Sequence, residues 1–176
     1  MGLRGGGGGG APIAMMPFQG MVKNLVIVTV ACWFVLQVLL EQFVLEAPLI
    51  TQWFALHPGK VLEFFIWQPL TYMFLHATDP FHILFNMLIL WWLGSELEQT
   101  WGRRYFTIYY FACGIGAAVI YTLITVVYSI FSGNLAPLVI PVVGASGAVF
   151  GMLLAYGILF GDRIVYFMFI FPMQRS

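Results

Sequence analysis

The feature that most constrains this sequence is the length of its uncharged apolar stretches. Asn24–Leu40, Tyr105–Phe131 and Leu138–Phe160 contain no Asp, Glu, Lys or Arg, and Pro80–Leu97 contains only Glu96. Each is near or above the ~20 residues that cross a bilayer as a helix. Only 8% of the 176 side chains are charged and the mean hydropathy is +0.94, whereas a soluble domain is about a quarter charged. A net charge of +0 excludes nucleic-acid binding through a basic field, and two cysteines, Cys32 and Cys113, exclude a disulfide scaffold. What remains is an all-α polytopic membrane protein whose first partner is the lipid bilayer.

Four spans are expected, at about 24–44, 80–97, 105–131 and 146–160. Arg4, Lys23, Arg103, Arg104, Arg163 and Arg175 then fall on one side and only Lys60 on the other. Cytoplasmic loops collect basic residues, so the N-terminus is expected in the cytoplasm, and a bacterial inner membrane fits these loops. Residues 1–23, with glycine at every position from 5 to 10, read as a flexible tail ahead of a membrane domain over 24–176. Ile164–Met173 is ten apolar residues, which at ~1.5 Å each reach about half of a ~30 Å hydrocarbon core. It reads as interfacial, or as the lead-in to a further span.

Polar residues inside the spans carry the functional information, because each is expensive in lipid. His82 and Asn86 lie four apart in the second span and so share a helix face. Taken alone, such a pair is as well explained by an interhelical hydrogen bond. The fourth span adds to it. Pro137 and Pro141 exclude a regular helix through Leu138–Phe160, and Gly144-Ala145-Ser146-Gly147 is where a helix can start. Counted from the cytoplasmic ends at Gly161 and Glu98, Ser146 is 15 residues in, His82 16 and Asn86 12. At the standard rise these are depths of about 22, 24 and 18 Å. A hydroxyl at a helix N-terminus, level with two side-chain donors, has the elements of nucleophilic attack on a carbonyl: a nucleophile and a place for the oxyanion. Gly144 permits the sharp turn before the serine, and Gly147 and Gly151 form a small face that a second helix can approach closely.

With these residues in view, the chain resembles the rhomboid family of intramembrane serine proteases over roughly Val26 to Met173. The matching marks are Trp67, His82-Ile83-Leu84-Phe85-Asn86, Gly94, Glu98, Gly102 and Gly144-Ala145-Ser146-Gly147. The resemblance implies a rhomboid-like bundle of six transmembrane helices, four of them in this chain, that cleaves transmembrane protein substrates near their outer ends. It makes Ser146 the catalytic nucleophile. It makes His82, Asn86 and the Ser146 backbone amide the oxyanion stabilisers, with Gly144 and Gly147 supporting. The family's general base is a histidine on the sixth span, and the histidines here are His57, His76 and His82. The base is therefore expected on a C-terminal span absent from this chain, which reads as a piece of a longer protein. By itself the piece is expected to be inactive, since a serine hydroxyl without a base is a poor nucleophile.

Other positions receive plainer readings. Gln68 stands where the family commonly has Arg after the loop tryptophan, which leaves open how that loop is braced. His76 reads as structural or interfacial, and His57 as a solvated loop residue. Glu98 reads as a helix-packing hydrogen-bonder, and Trp91, Trp92 and Trp101 as interfacial anchors. Cys32 and Cys113 lie in apolar spans with no second ligand at metal spacing, so neither metal nor cofactor is expected. Two other classes compete with a protease. One is a rhomboid-like protein that binds membrane clients without cutting them; the other is a small transporter subunit, against which stands the absence of a repeat or a carboxylate pair.

Overall fold

The computed structural model describes residues 17–160, together with the backbone of 165–167 and 171–173. The glycine run of the expected tail, and the remainder of the expected lead-in over 164–173, lie outside the described residues. Helix α1 (Gly20–Ala31) continues without a break into wider π-type turns over Cys32–Val44. Three short helices follow, α2 (Leu49–Phe54), α3 (Pro58–Leu62) and α4 (Gln68–Thr71), and a 3₁₀ turn over Tyr72–Phe74. The long helices α5 (Pro80–Trp101) and α6 (Arg103–Ser132) come next, then α7 (Ser146–Leu159). Two short strands, Val165–Phe167 and Phe171–Met173, pair antiparallel with Val165 opposite Met173.

The helix limits follow from local chemistry. Asp79 caps α5 by accepting the Phe81 N–H, and Pro80 sits in the first turn, where its missing donor costs nothing. Pro137 and Pro141 keep the connection from α6 to α7 irregular apart from one 3₁₀ turn at Ala136–Leu138, so α7 starts at Ser146. At the other end of the chain α1 begins at Gly20, four residues ahead of the apolar segment. Its start is capped from another helix: the Glu98 carboxylate on α5 accepts the Met21 N–H at 2.7 Å and the Val22 N–H at 2.9 Å. Glu98 thereby supplies a negative charge and two acceptors where a helix N-terminus offers unpaired donors.

Helices Gly20–Val44 and Arg103–Ser132 are long and apolar enough to cross a membrane. Only 22% and 28% of their most apolar windows are buried within the protein, so these are not core helices of a soluble fold. Leu123, Ile124, Ile130 and Phe131 on α6 are all largely exposed. Contiguous apolar surface of this extent requires lipid or protein against it.

Residues without bulk let the helices meet. Gly94 of α5 lies against Val22 of α1 and Phe106 of α6, with room for a Cβ only at 3.1–3.2 Å. Gly114 of α6 receives the Met73 side chain, and Gly147 and Gly151 of α7 receive Ala117 and Cys113 of α6. The small face on α7 is thus occupied by small side chains of α6. Leu90, Leu97, Phe106, Tyr110 and Met152 fill the space between the helices and are buried.

Because two charge-assisted bonds join α1 to α5 through one carboxylate, Glu98→Ala is expected to destabilise the folded protein by about 1.5–3 kcal/mol. Denaturant titration in micelles, followed by far-UV circular dichroism, measures this, and Glu98→Gln is expected to lose less than Glu98→Ala.

Candidate active site

In the irregular backbone leading into α7, the amides of Val142, Gly144 and Ala145 each find a partner. Leu56 and Val142 form a reciprocal bridge, Leu56 N–H to Val142 O at 3.0 Å and Val142 N–H to Leu56 O at 2.9 Å. Gly144 N–H donates to Tyr72 O at 3.0 Å, and Ala145 N–H to His76 Nε2 at 3.4 Å. The Tyr72 hydroxyl in turn donates to Gly114 O at 2.7 Å, tying the same turn to α6.

Gly144 is required here twice over. Its φ of +120° is strained for any residue with a Cβ, and an added Cβ would lie 3.3 Å from His82 Nε2. The His82 ring therefore lies on the face of Gly144, two residues before Ser146. Asn86 follows one turn along α5, is 7% exposed, and donates its Nδ2 to the His82 carbonyl at 2.8 Å. That bond uses one of the two protons on the amide nitrogen.

Ser146 is half-buried at the first position of α7. The first hydrogen bond of the helix runs from Val149 N–H to Ala145 O, and no side chain caps the N-terminus. The N–H groups of Ser146, Gly147 and Ala148 thus have no partner one turn back. The structure brings His82, Gly144 and the serine turn together. The Asn86 bond stays within α5, and among the described residues no hydrogen bond links Ser146 to His82 or Asn86.

One histidine differs from its sequence reading, and a second proves structural and not interfacial. His57 is not a solvated loop residue: it is 6% exposed, its Nδ1 donates to Ala55 O at 3.1 Å and its backbone N–H to Gln68 Oε1 at 3.0 Å. His76 is fully buried, its ring edge-on to His82 at 5.4 Å between centroids, with Nε2 on the serine turn. Its contact with the serine turn could not be read from spacing, because Ala77-Thr78-Asp79 between the histidines is not helical and no periodicity carries across. Gln68, also fully buried, answers how the loop is braced. Its Oε1 accepts from His57 and its Nε2 donates to Trp53 O at 3.3 Å. Trp67 Nε1 donates to the same carbonyl at 2.9 Å.

Burial, and then the facing His82, push His76 down to about 4. Burial likewise pushes His57 down, opposed by its bond to Ala55 O.

These features define a helical protein with a serine at an uncapped helix start, set beside a buried histidine and a second one at the glycine turn. Residues 63–174 match the Rhomboid domain model, and the chain belongs to that family. It is 36% identical over 88 residues to RHOMBOID-like protein 1 of Arabidopsis thaliana, a stretch covering 50% of this chain and 19% of that protein. It is 34% identical over 87 residues to rhomboid protease GluP of Bacillus subtilis (strain 168), covering 49% of this chain and 14% of that protein. The chain thus spans less than a fifth of the length of either relative.

The histidine values set a pH dependence. A histidine that resists protonation when folded is protonated first in the unfolded chain, so stability falls as pH drops from about 6.5 through 4 for His76. His57 adds loss of the same sign. Thermal unfolding in detergent is expected to shift to lower temperature between pH 7 and pH 5, and His76→Gln to flatten that dependence.

Proposed function

We propose that this chain carries the nucleophile and the oxyanion site of an intramembrane serine endopeptidase acting on transmembrane protein substrates. The observation that carries the reading is the His82 ring against Gly144, which sets an imidazole beside the uncapped turn that bears Ser146. Family membership and the likeness to a rhomboid protease support it.

In this reading four helices, α1, α5, α6 and α7, cross the membrane with the N-terminus cytoplasmic. Helix α7 has 14 residues, about 21 Å against a ~30 Å core, so Ser146 and its turn lie below the outer membrane surface. Irregular backbone at that depth is tolerated where protein buries it or where it lines a water-filled cavity, in keeping with the amide partners described above.

Ser146 Oγ attacks the scissile carbonyl carbon while a histidine on a span C-terminal to this chain takes the hydroxyl proton. The carbonyl oxygen becomes an oxyanion held by the Ser146 N–H, the His82 ring and the second Nδ2 proton of Asn86. Collapse breaks the C–N bond, and the base histidine returns its proton to the leaving amine. Water, activated by the same histidine, then cleaves the Ser146 ester and releases the acid product. The low-dielectric surroundings strengthen each of these hydrogen bonds relative to water.

The test uses the full-length protein in proteoliposomes with a fluorogenic transmembrane peptide. Ser146→Ala is expected to abolish cleavage, and His82→Ala and Asn86→Ala each to lower turnover by about 10²–10³. Undiminished turnover in Ser146→Ala overturns the protease reading, and undiminished turnover in Asn86→Ala removes that residue from the oxyanion site.

A further inference from the structure

We propose that His76 is a positioning residue for the serine turn: its ring accepts the Ala145 N–H and so fixes the backbone that sets Ser146 at the start of α7. The inference deepens the assignment of Ser146 as nucleophile and rests on it.

The backbone that carries the ring is held by the first long helix. Trp33 and Gln37 lie four apart on the Cys32–Val44 continuation of α1 and so share one face. The Gln37 side-chain oxygen accepts the His76 backbone N–H at 2.7 Å, and Trp33 Nε1 donates to Ala77 O at 3.0 Å. Gln37 is itself 3% exposed. A continuous path therefore runs from α1, through the backbone of 76–77 and the His76 ring, to the amide immediately before Ser146.

The polar balance of the ring argues that the acceptor is what the position requires. With Nε2 accepting from Ala145, the proton of the neutral ring sits on Nδ1, which is buried and has no partner. An unpaired buried donor is a net cost that Leu or Phe at the same place would not incur. Histidine at this site is explained by the bond its other nitrogen makes. Removing that acceptor also orphans the Ala145 amide, one of three on which the turn depends. The groups around His76 are the His82 ring from α5, neutral Gln37 of the Cys32–Val44 turns on its backbone N–H, and backbone from the α7 lead-in on its Nε2.

A serine turn shifted by a fraction of an ångström still binds substrate but presents a misaligned nucleophile, so the effect falls on kcat and not on KM. In the full-length protein, His76→Leu is expected to lower kcat by about 10- to 100-fold with KM within about twofold of the parent. His76→Gln carries a side-chain oxygen at about the reach of Nε2 and is expected to recover kcat to within about threefold. If His76→Leu does not fold, His76→Asn, polar but too short to reach Ala145, takes its place. A parent-like kcat in the variant without the acceptor overturns the proposal, as does a His76→Gln variant equally impaired.

Amide hydrogen exchange at Ala145 in micelles separates this inference from the protease reading. It is expected to be slow in the parent and His76→Gln, and fast in the acceptor-less variant, with Val142 and Gly144 unchanged. If Ser146→Ala shows turnover not to depend on the serine, the protease reading fails, and exchange alone then decides whether His76 holds the turn. Unchanged exchange at Ala145 in the acceptor-less variant overturns it.

Discussion

An irregular backbone among apolar helices has to find acceptors for its own amides, and in this fold that requirement organises everything around Ser146. Between Val142 and Ala145 the partners come from three places: the Leu56 carbonyl after α2, the Tyr72 carbonyl after α4, and the His76 ring before α5. Each partner belongs to a different stretch of the long connection between α1 and α5. That connection is therefore not a passive loop. It forms a cradle whose shape is set by the donors it must satisfy, since an unsatisfied buried amide costs about 1–3 kcal/mol. Tyr72 serves twice, accepting from Gly144 through its carbonyl and donating through its hydroxyl to Gly114, so the cradle is tied to α6.

Close approach of helix backbones is the second condition, and it fixes the direction of α7 once its start is placed. Gly147 and Gly151 face Ala117 and Cys113, so α7 lies on α6 with little between them. Tyr109 of α6 donates its hydroxyl to the Gly151 carbonyl at 2.7 Å, which adds a polar lock at the same contact. On α5, Gly94 lets Val22 of α1 and Phe106 of α6 meet at one point, a turn from the Glu98 cap. The opposite face of α7, with Phe150, Leu154 and Ile158 exposed, is left to lipid or to further protein.

Much of this architecture was legible in the sequence because it rests on strong local signals. Prolines 137 and 141 and the Gly144-Ala145-Ser146-Gly147 run placed the start of α7 at Ser146, and the four-residue spacing of His82 and Asn86 placed them on one face of α5. The packing role of Glu98 was also foreseen. What escaped was whatever depends on contact between segments far apart in the chain. The start of α1 at Gly20 depends on a carboxylate that bonds Val22 from 76 residues away, and neither propensity nor hydropathy registers such a cap. His57 looked like a solvated loop histidine, and His76 like a structural or interfacial one whose partner the sequence did not name. Their burial comes from the folding of the connection under the serine turn, which no periodic pattern encodes.

The distribution of charge explains how so sparsely charged a chain braces its loops. Glu98 is used as an anion where a helix N-terminus and its dipole offset the charge. Deeper in the connection the bracing groups are the neutral amides Gln37 and Gln68, 3% and 0% exposed. An amide brings both donor and acceptor without a charge to desolvate, so Gln68 can accept from His57 and donate to Trp53 in one place. A guanidinium there would bring donors only, leave the His57 N–H without its acceptor, and need an anion that no described contact provides. The glutamine after Trp67 is thus not a weakened version of a charged brace; it belongs to a different solution, in which the backbone N–H of the buried His57 is the partner.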